Sequence, residues 1–456
     1  MIGVILFLLA LYLFFNAAKR YLCVCILFTI ATAGFQLLPV YLFVMPPVGI
    51  TKPYDWLLLF CAALLLLSPG VFIQNRAWSS YRNILLFAVA LLFLLAYSIF
   101  YRRVEPLISM RVWRNYIFFL VLFPFVQLSL QDLLKIFRWV IYATTVASLV
   151  YCVQPFVGQG LLNMVGSDLV YTNDEGYPTR YYNLPVFIFP VFFFFFFSKA
   201  TFGLWGKHLL LGINMLAILL SQHRNLLLSI LCCYALHLFL SKKVKPARLL
   251  LYAGIVVLAF NIVKTLPQSR FSEGFKDLSG AAMSVSPITL NALEANELST
   301  TEFRWYLFVE RLQYVLANPV TTWLGIGLLT EDSRQTRLLR FNIGLPDDNN
   351  GVKQVDTGDI IWSVMILQFG IAGIVFFILY YLAFLIKFLA FKTEPVVQIG
   401  ILFIVVLFIT SFYGTAILQP YTTCMLMLFA AYAYGLRQVA PAAPSFTYPL
   451  TAPSYI

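Results

Sequence analysis

The chain has 456 residues, 61% hydrophobic and 11% charged, with a formal net charge of +12. That mix excludes an ordinary soluble domain and leaves a bundle of apolar helices with lipid as its solvent. The positive charge belongs to loops that fix orientation in a membrane, not to a nucleic-acid surface.

In chain order, spans are expected at 2–16, 21–44, 55–72, 84–100, 113–128, 135–155, 181–197, 207–220, 225–240 and 248–264, then at 359–386, 396–413 and 419–436. The first apolar run has no basic residue before it and no small-residue cleavage site, so it reads as a retained span. The seven cysteines all lie in apolar segments, odd in number and without ligand spacing, and read as packing residues. Basic residues recur in alternate connections: Lys19/Arg20, Arg76/Arg82, Lys135/Arg138, Lys199/Lys207, Lys242 to Arg248 and Lys387/Lys392. Assigning all of them to the cytoplasm puts 156–180, 221–224, 265–358 and 414–418 outside. Arg102, Arg103, Arg111 and Arg114 break this scheme: either a front-half span is misread or these arginines have external work. A literal count gives thirteen spans with an external N-terminus, and removing one front-half span gives twelve with both termini inside. The expected fold is therefore an all-α polytopic membrane protein of about 12 (11–13) transmembrane helices. Residues 1–264 form its N-terminal bundle, 265–358 a large extramembrane loop, 359–436 the C-terminal spans and 437–456 a disordered tail.

The large loop is the most informative segment, because irregular backbone cannot face lipid and must sit outside the hydrocarbon or inside protein. Glu302–Ala317 reads as an amphipathic helix, with Thr300 or Thr301 as N-cap and Asn318-Pro319 as its stop. Trp305, Tyr306 and Tyr314 suit a headgroup interface. Arg304 and Arg311, seven residues apart, fall on one face of that helix. Farther on, Arg334, Arg337 and Arg340 recur at helical spacing, and PDDNNG reads as a turn in preference to a metal site at Asp347-Asp348.

Three constellations can carry chemistry. Ser221-Gln222-His223-Arg224 joins two apolar spans with almost no linker, and an arginine at the hydrocarbon edge is costly unless it is paired, functional or snorkelling. Its planar fork suits two phosphate oxygens; His223 is as well explained by capping. Arg304 with Arg311 could form a cationic face for a diphosphate, or a solvated face paired with Glu302 and Glu310. Asp356 and Asp359 flank Gly358 where the chain re-enters the membrane; either could take a proton from an attacking hydroxyl, or cap the next helix. No Walker loop or dinucleotide glycine pattern is present and no cytoplasmic loop could hold a nucleotide domain, so an energy-rich donor would have to reside in the membrane.

Several of these features coincide with motifs of a known family. Arg224-Asn-Leu-Leu-Leu228 resembles the arginine motif at the head of a span in the O-antigen ligase and O-antigen polymerase superfamily of bacterial envelope enzymes. Phe303-Arg304-Trp305, Asn318-Pro319 and Leu324-Gly325-Ile326-Gly327 are similar to the arginine, NP and GxG run of that family's large periplasmic loop. Gln368-Phe369-Gly370-Ile371-Ala372-Gly373 resembles its GxxG in the following span. The family's ligases place a histidine eleven residues before that first glycine; this chain has Asp359 there.

The resemblance implies a GT-C-like membrane glycosyltransferase of the bacterial inner membrane with its site facing the periplasm. It implies a donor glycan on undecaprenyl diphosphate and an inverting transfer to a sugar hydroxyl, with no cofactor and no metal. Arg224 and Arg304, with Arg311 and His223 nearby, would bind the diphosphate, and Asp359 or Asp356 would be the catalytic base. A repeat-unit polymerase is the leading expectation, given the missing histidine. A ligase acting on lipid A core or protein is the alternative, and a lipid-linked oligosaccharide flippase a remote third. Membrane lipid is an expected partner and nucleic acid is not.

Overall fold

The computed structural model describes residues 2–73, 75–163, 170–172, 178–197, 204–221, 224–241, 300–347, 351–355 and 360–439. The described chain is mostly helical, and its few strands form two short hairpins. Among the described residues, four helices are long and apolar enough to cross a membrane: Arg82–Tyr101, Pro106–Phe125, Leu130–Val157 and Ile361–Leu389. Shorter apolar helices surround them, and one bent pair, Asp55–Leu67 with Gly70–Ser80, turns by 100°. That bend falls at Ser68-Pro69-Gly70, where proline removes a backbone donor.

The principal helices are α1 (Ile2–Phe15), α2 (Arg20–Ala31), α3 (Asp55–Leu67), α4 (Arg82–Tyr101), α5 (Pro106–Phe125, its middle a 3-10 segment) and α6 (Leu130–Val157). They are followed by α7 (Ile188–Phe197), α8 (Leu204–Leu220), α9 (Arg224–Ser241), α10 (Thr300–Leu316), α11 (Pro319–Leu324), α12 (Ile361–Leu389), α13 (Pro395–Thr410) and α14 (Pro420–Val439). Phenylalanines fill the interior: Phe137 lies 5.0 Å from Phe429 and 5.3 Å from Phe194, while Gly400 lets α13 approach Phe388 and Phe429. Polar side chains join helices where water is absent. Asn214 of α8 accepts from Ser148 at 2.9 Å and donates to Thr145 at 3.1 Å, both on α6.

Hydrogen bonds identify the two ends of the bundle. At one end Lys387 donates to Asn83 at 2.7 Å and lies over the Tyr81 ring, Tyr81 donates to the Ala430 carbonyl at 2.7 Å, and Tyr432 donates to Glu394 at 3.0 Å. At the other end Tyr97 donates to the Gly325 carbonyl at 2.9 Å, so this end carries the large loop. Arg114, midway along α5, joins Asp55 at 3.1 Å and Thr51 at 3.0 Å at the head of α3.

Two expected elements are corrected. The span expected at 21–44 stops at Ala31: Ala33, Gly34, Phe35 and Gln36 all have positive φ, and the chain continues as turns. Buried Gln36 secures those turns by accepting from Val186 N at 3.0 Å and, through its carbonyl, from Asn163 N at 2.8 Å. The span expected at 359–386 is broken at Gly370 (φ 63°, ψ −168°), a conformation open almost only to glycine. Trp362 and Phe377 would stand about 22 Å apart on a straight helix. Their rings are 6.5 Å apart, so the first turns of α12 fold back along the rest. The nineteen residues after the break, 371–389, still span about 28 Å.

Candidate site at the loop end

The loop helix α10 covers the expected amphipathic segment, and Asn318 caps α11 by accepting from Val320 N at 2.8 Å. On either side of the expected PDDNNG turn, whose residues 348–350 lie outside the described residues, Pro346–Asp347 and Gly351–Val352 pair antiparallel.

The root of the loop is locked to α12 through two glycines. Gly325 has φ 70° and ψ −167°, close to the backbone angles of Gly370. A Cβ on Gly325 would come within 2.5 Å of the Gln368 backbone, and one on Gly370 within 2.5 Å of Gly325 N. The contact is sealed by Ile326 N donating to Leu367 O at 2.8 Å and Gln368 donating to Leu329 O at 2.7 Å. On its other side the same segment is held by the end of α4 and the head of α5. Ser98 accepts from Leu328 N at 2.9 Å, Arg102 donates to Ile326 O at 3.2 Å, and Ser98 and Ser109 bond each other at 3.0 Å. Arg111 pairs with Asp332 at 2.9 Å, and Glu105 accepts from Arg334 N at 3.1 Å. The arginine-rich connection therefore lies at the loop end of the bundle, with work to do there: it holds the loop.

Arg311 differs from the expectation of an exposed cationic face. It is 2% exposed, and its guanidinium donates to Glu310 at 2.6 Å, to the Ile343 carbonyl and to Lys353 O at 3.3 Å. Glu310 in turn accepts from Asn342 N at 2.7 Å and Ile343 N at 3.1 Å. Burial pushes the Arg311 pKa down to about 10, with Glu310 and Glu331 opposing the shift, so it remains a cation at neutral pH. Its geometry makes it a clamp inside the loop lobe, turned away from any ligand at the surface. Buried Gln354 completes the clamp by accepting from Phe341 N at 2.9 Å and donating to Val352 O at 3.0 Å. The sequence offered little warning: Glu310 is adjacent, but the carbonyl partners lie more than thirty residues downstream.

Arg304 is placed differently. It is half-buried, and its guanidinium carbon lies 5.6 Å from the centroid of the Tyr413 ring, in the connection between α13 and α14. That connection is set into the bundle. Tyr381, eleven residues and about 16 Å of helix beyond Gly370, donates to Ile417 O at 3.0 Å, and its ring lies 5.5 Å from Phe408. The folded-back start of α12 meets the same connection, with Trp362 donating to Ser411 at 2.9 Å and its ring 6.0 Å from Phe412. Arg304, the turn at Ser411 to Tyr413 and the entry to α12 thus form one cluster. Neither Tyr413 nor the depth of this turn was singled out from sequence; its aromatic pair beside Gly414 was the available signal.

Arg224 heads α9, and Ser221 precedes it by three residues, so α9 begins where α8 ends. Cys233 of α9 lies 3.6 Å from Leu402 O of α13. That contact packs α9 against α13. The orientation of the Arg224 side chain, together with His223, Asp356 and Asp359, lies outside the described residues. Ile360, the chain neighbour of Asp359, is buried and accepts from Ser363 at 2.8 Å at the start of α12.

The cluster offers an arginine beside an aromatic ring and a chain entry that two aspartates precede in sequence. Such a set suits an oxyanion-bearing ligand approached from the loop end. No protein-family model matches the chain, and no curated protein matches it.

Proposed function

We propose that this chain is a membrane glycosyltransferase that takes a glycan from undecaprenyl diphosphate and passes it to a sugar hydroxyl on the periplasmic side of a bacterial inner membrane. Repeat-unit polymerisation is the favoured reaction. The observation that carries the reading is the cluster at the loop end: Arg304 against Tyr413, beside the entry to α12. The interlock of Gly325 with Gly370 adds support, since it joins the two glycine motifs on which the resemblance rests.

In this mechanism Arg304 and Arg224 neutralise the charge that develops as the diphosphate departs. Asp359, one residue before Ile360, takes the proton of the acceptor hydroxyl, with Asp356 as the nearest substitute. The loop lobe covers the reaction and keeps water from the donor. The periplasmic assignment is supported by the basic connection at Lys387, which lies at the end of the bundle away from the loop.

A deletion strain tests the reaction class. Loss of the surface-glycan ladder above one repeat supports the polymerase; loss of all attached repeats with lipid-linked polymer accumulating supports a ligase instead; an unchanged ladder refutes both. In the complemented strain Arg224→Ala abolishes transfer while the protein stays in the membrane. A normal glycan length and amount in that variant would exclude the diphosphate role.

A further inference from the structure

We infer that Tyr413 is a positioning residue for the lipid-diphosphate donor, its ring serving as the platform that holds the Arg304 guanidinium at the binding site. The inference rests on the diphosphate reading of Arg304 and adds a residue that neither the composition nor the motifs point to. The guanidinium carbon lies 5.6 Å from the ring centroid, within the range of a cation–π contact. An arginine side chain has several freely rotating bonds, and a ring against one face of its fork removes much of that freedom while leaving N–H edges for oxygen acceptors. Partial desolvation strengthens the contact, and both residues are half-buried.

The platform is itself fixed. Tyr413 N donates to Thr410 O at 2.9 Å, closing the turn that ends α13. Ser411, two residues earlier, is fully buried and tied to Trp362 at 2.9 Å. The turn therefore holds the ring at a set depth, next to the chain entry that bears the proposed base. Arg304 comes from the loop and Tyr413 from the bundle, so their contact also registers the loop against the membrane helices.

The test measures binding of undecaprenyl diphosphate to the full chain in lipid nanodiscs. Tyr413→Leu is expected to weaken binding about tenfold, whereas Tyr413→Phe and Tyr413→Trp stay within about twofold of the parent, because the ring is retained. In an Arg304→Ala background, where binding is already weak, Tyr413→Leu has no further effect. Unchanged affinity in Tyr413→Leu overturns the inference, as does equal loss in Tyr413→Leu and Tyr413→Phe, which would assign the role to the hydroxyl. Unchanged affinity in Arg304→Ala instead overturns the diphosphate reading on which the inference stands. The unfolding midpoint without lipid controls for folding, and tight binding by Tyr413→Trp excludes a purely steric fault.

Discussion

Single residues divide the arginines of the loop by role. Arg304 and Arg311 occupy the same helix at a seven-residue spacing, which placed them on a common face in the sequence. They nevertheless belong to different surroundings: one meets the Tyr413 ring, the other enters the lobe core. Periodicity tells which residues share a stripe; it does not tell how far along the stripe the covering chain extends. Removing Arg311 takes the cation from the mostly buried Glu310, which keeps its two backbone donors, at a cost of about 1–3 kcal/mol. Arg311→Leu is therefore expected to open the lobe to protease between α10 and the hairpin, and Glu310→Leu in addition should restore part of the resistance. An intact proteolysis pattern for Arg311→Leu would show that the clamp carries no stability. Asp359→Asn tests the proposed base: turnover falls while donor binding persists, measured as a loss in kcat without a matching rise in KM. Unchanged turnover would leave Asp359 as a helix cap.

Elements explain how the loop is kept in register. The 325–329 segment is held from two sides, by Leu367 and Gln368 on α12 and by Tyr97, Ser98 and Arg102 at the end of α4. Its glycines were legible as a pattern, but their mutual docking was not, because that depends on the break at Gly370. Gly370→Ala meets both a backbone contact at 2.5 Å and a φ of 63°. The conformation alone costs about 1–3 kcal/mol for an ordinary residue. Both Gly370→Ala and Gly325→Ala should lower the thermal midpoint and reduce transfer, while Gly212→Ala, which has open space around it, changes neither. Equal midpoints for all three would refute the interlock. The shortened second helix shows the converse limit. Residues 32–44 are apolar enough to resemble a span, yet three non-glycine residues there adopt positive φ, stabilised by contacts to 163 and 186 that local sequence does not reveal.

At the scale of the whole molecule the two ends of the bundle differ: Lys387, Asn83 and Glu394 mark one, and the packed loop marks the other. The exception to the alternating basic connections, at 102–114, resolves once the loop is seen to pack on it; exposed pairs such as Arg111–Asp332 add little energy but complete the seam. A cysteine at Arg334 and one at Lys392, each introduced separately into a Cys232→Ser background, are expected to react with impermeant thiol reagents from opposite sides of the membrane. Labelling from the same side would contradict the assignment of ends. Chelators are expected to leave transfer intact, and inhibition reversed by a divalent ion would replace the metal-free mechanism. The most direct measurement is the initial rate of glycan transfer by the purified chain from a lipid-diphosphate donor, compared with Arg304→Ala and Arg224→Ala. The account predicts a loss of about 10²–10³ in kcat for each variant, with the protein folded and the lobe closed. Transfer at the parent rate in either variant would contradict it.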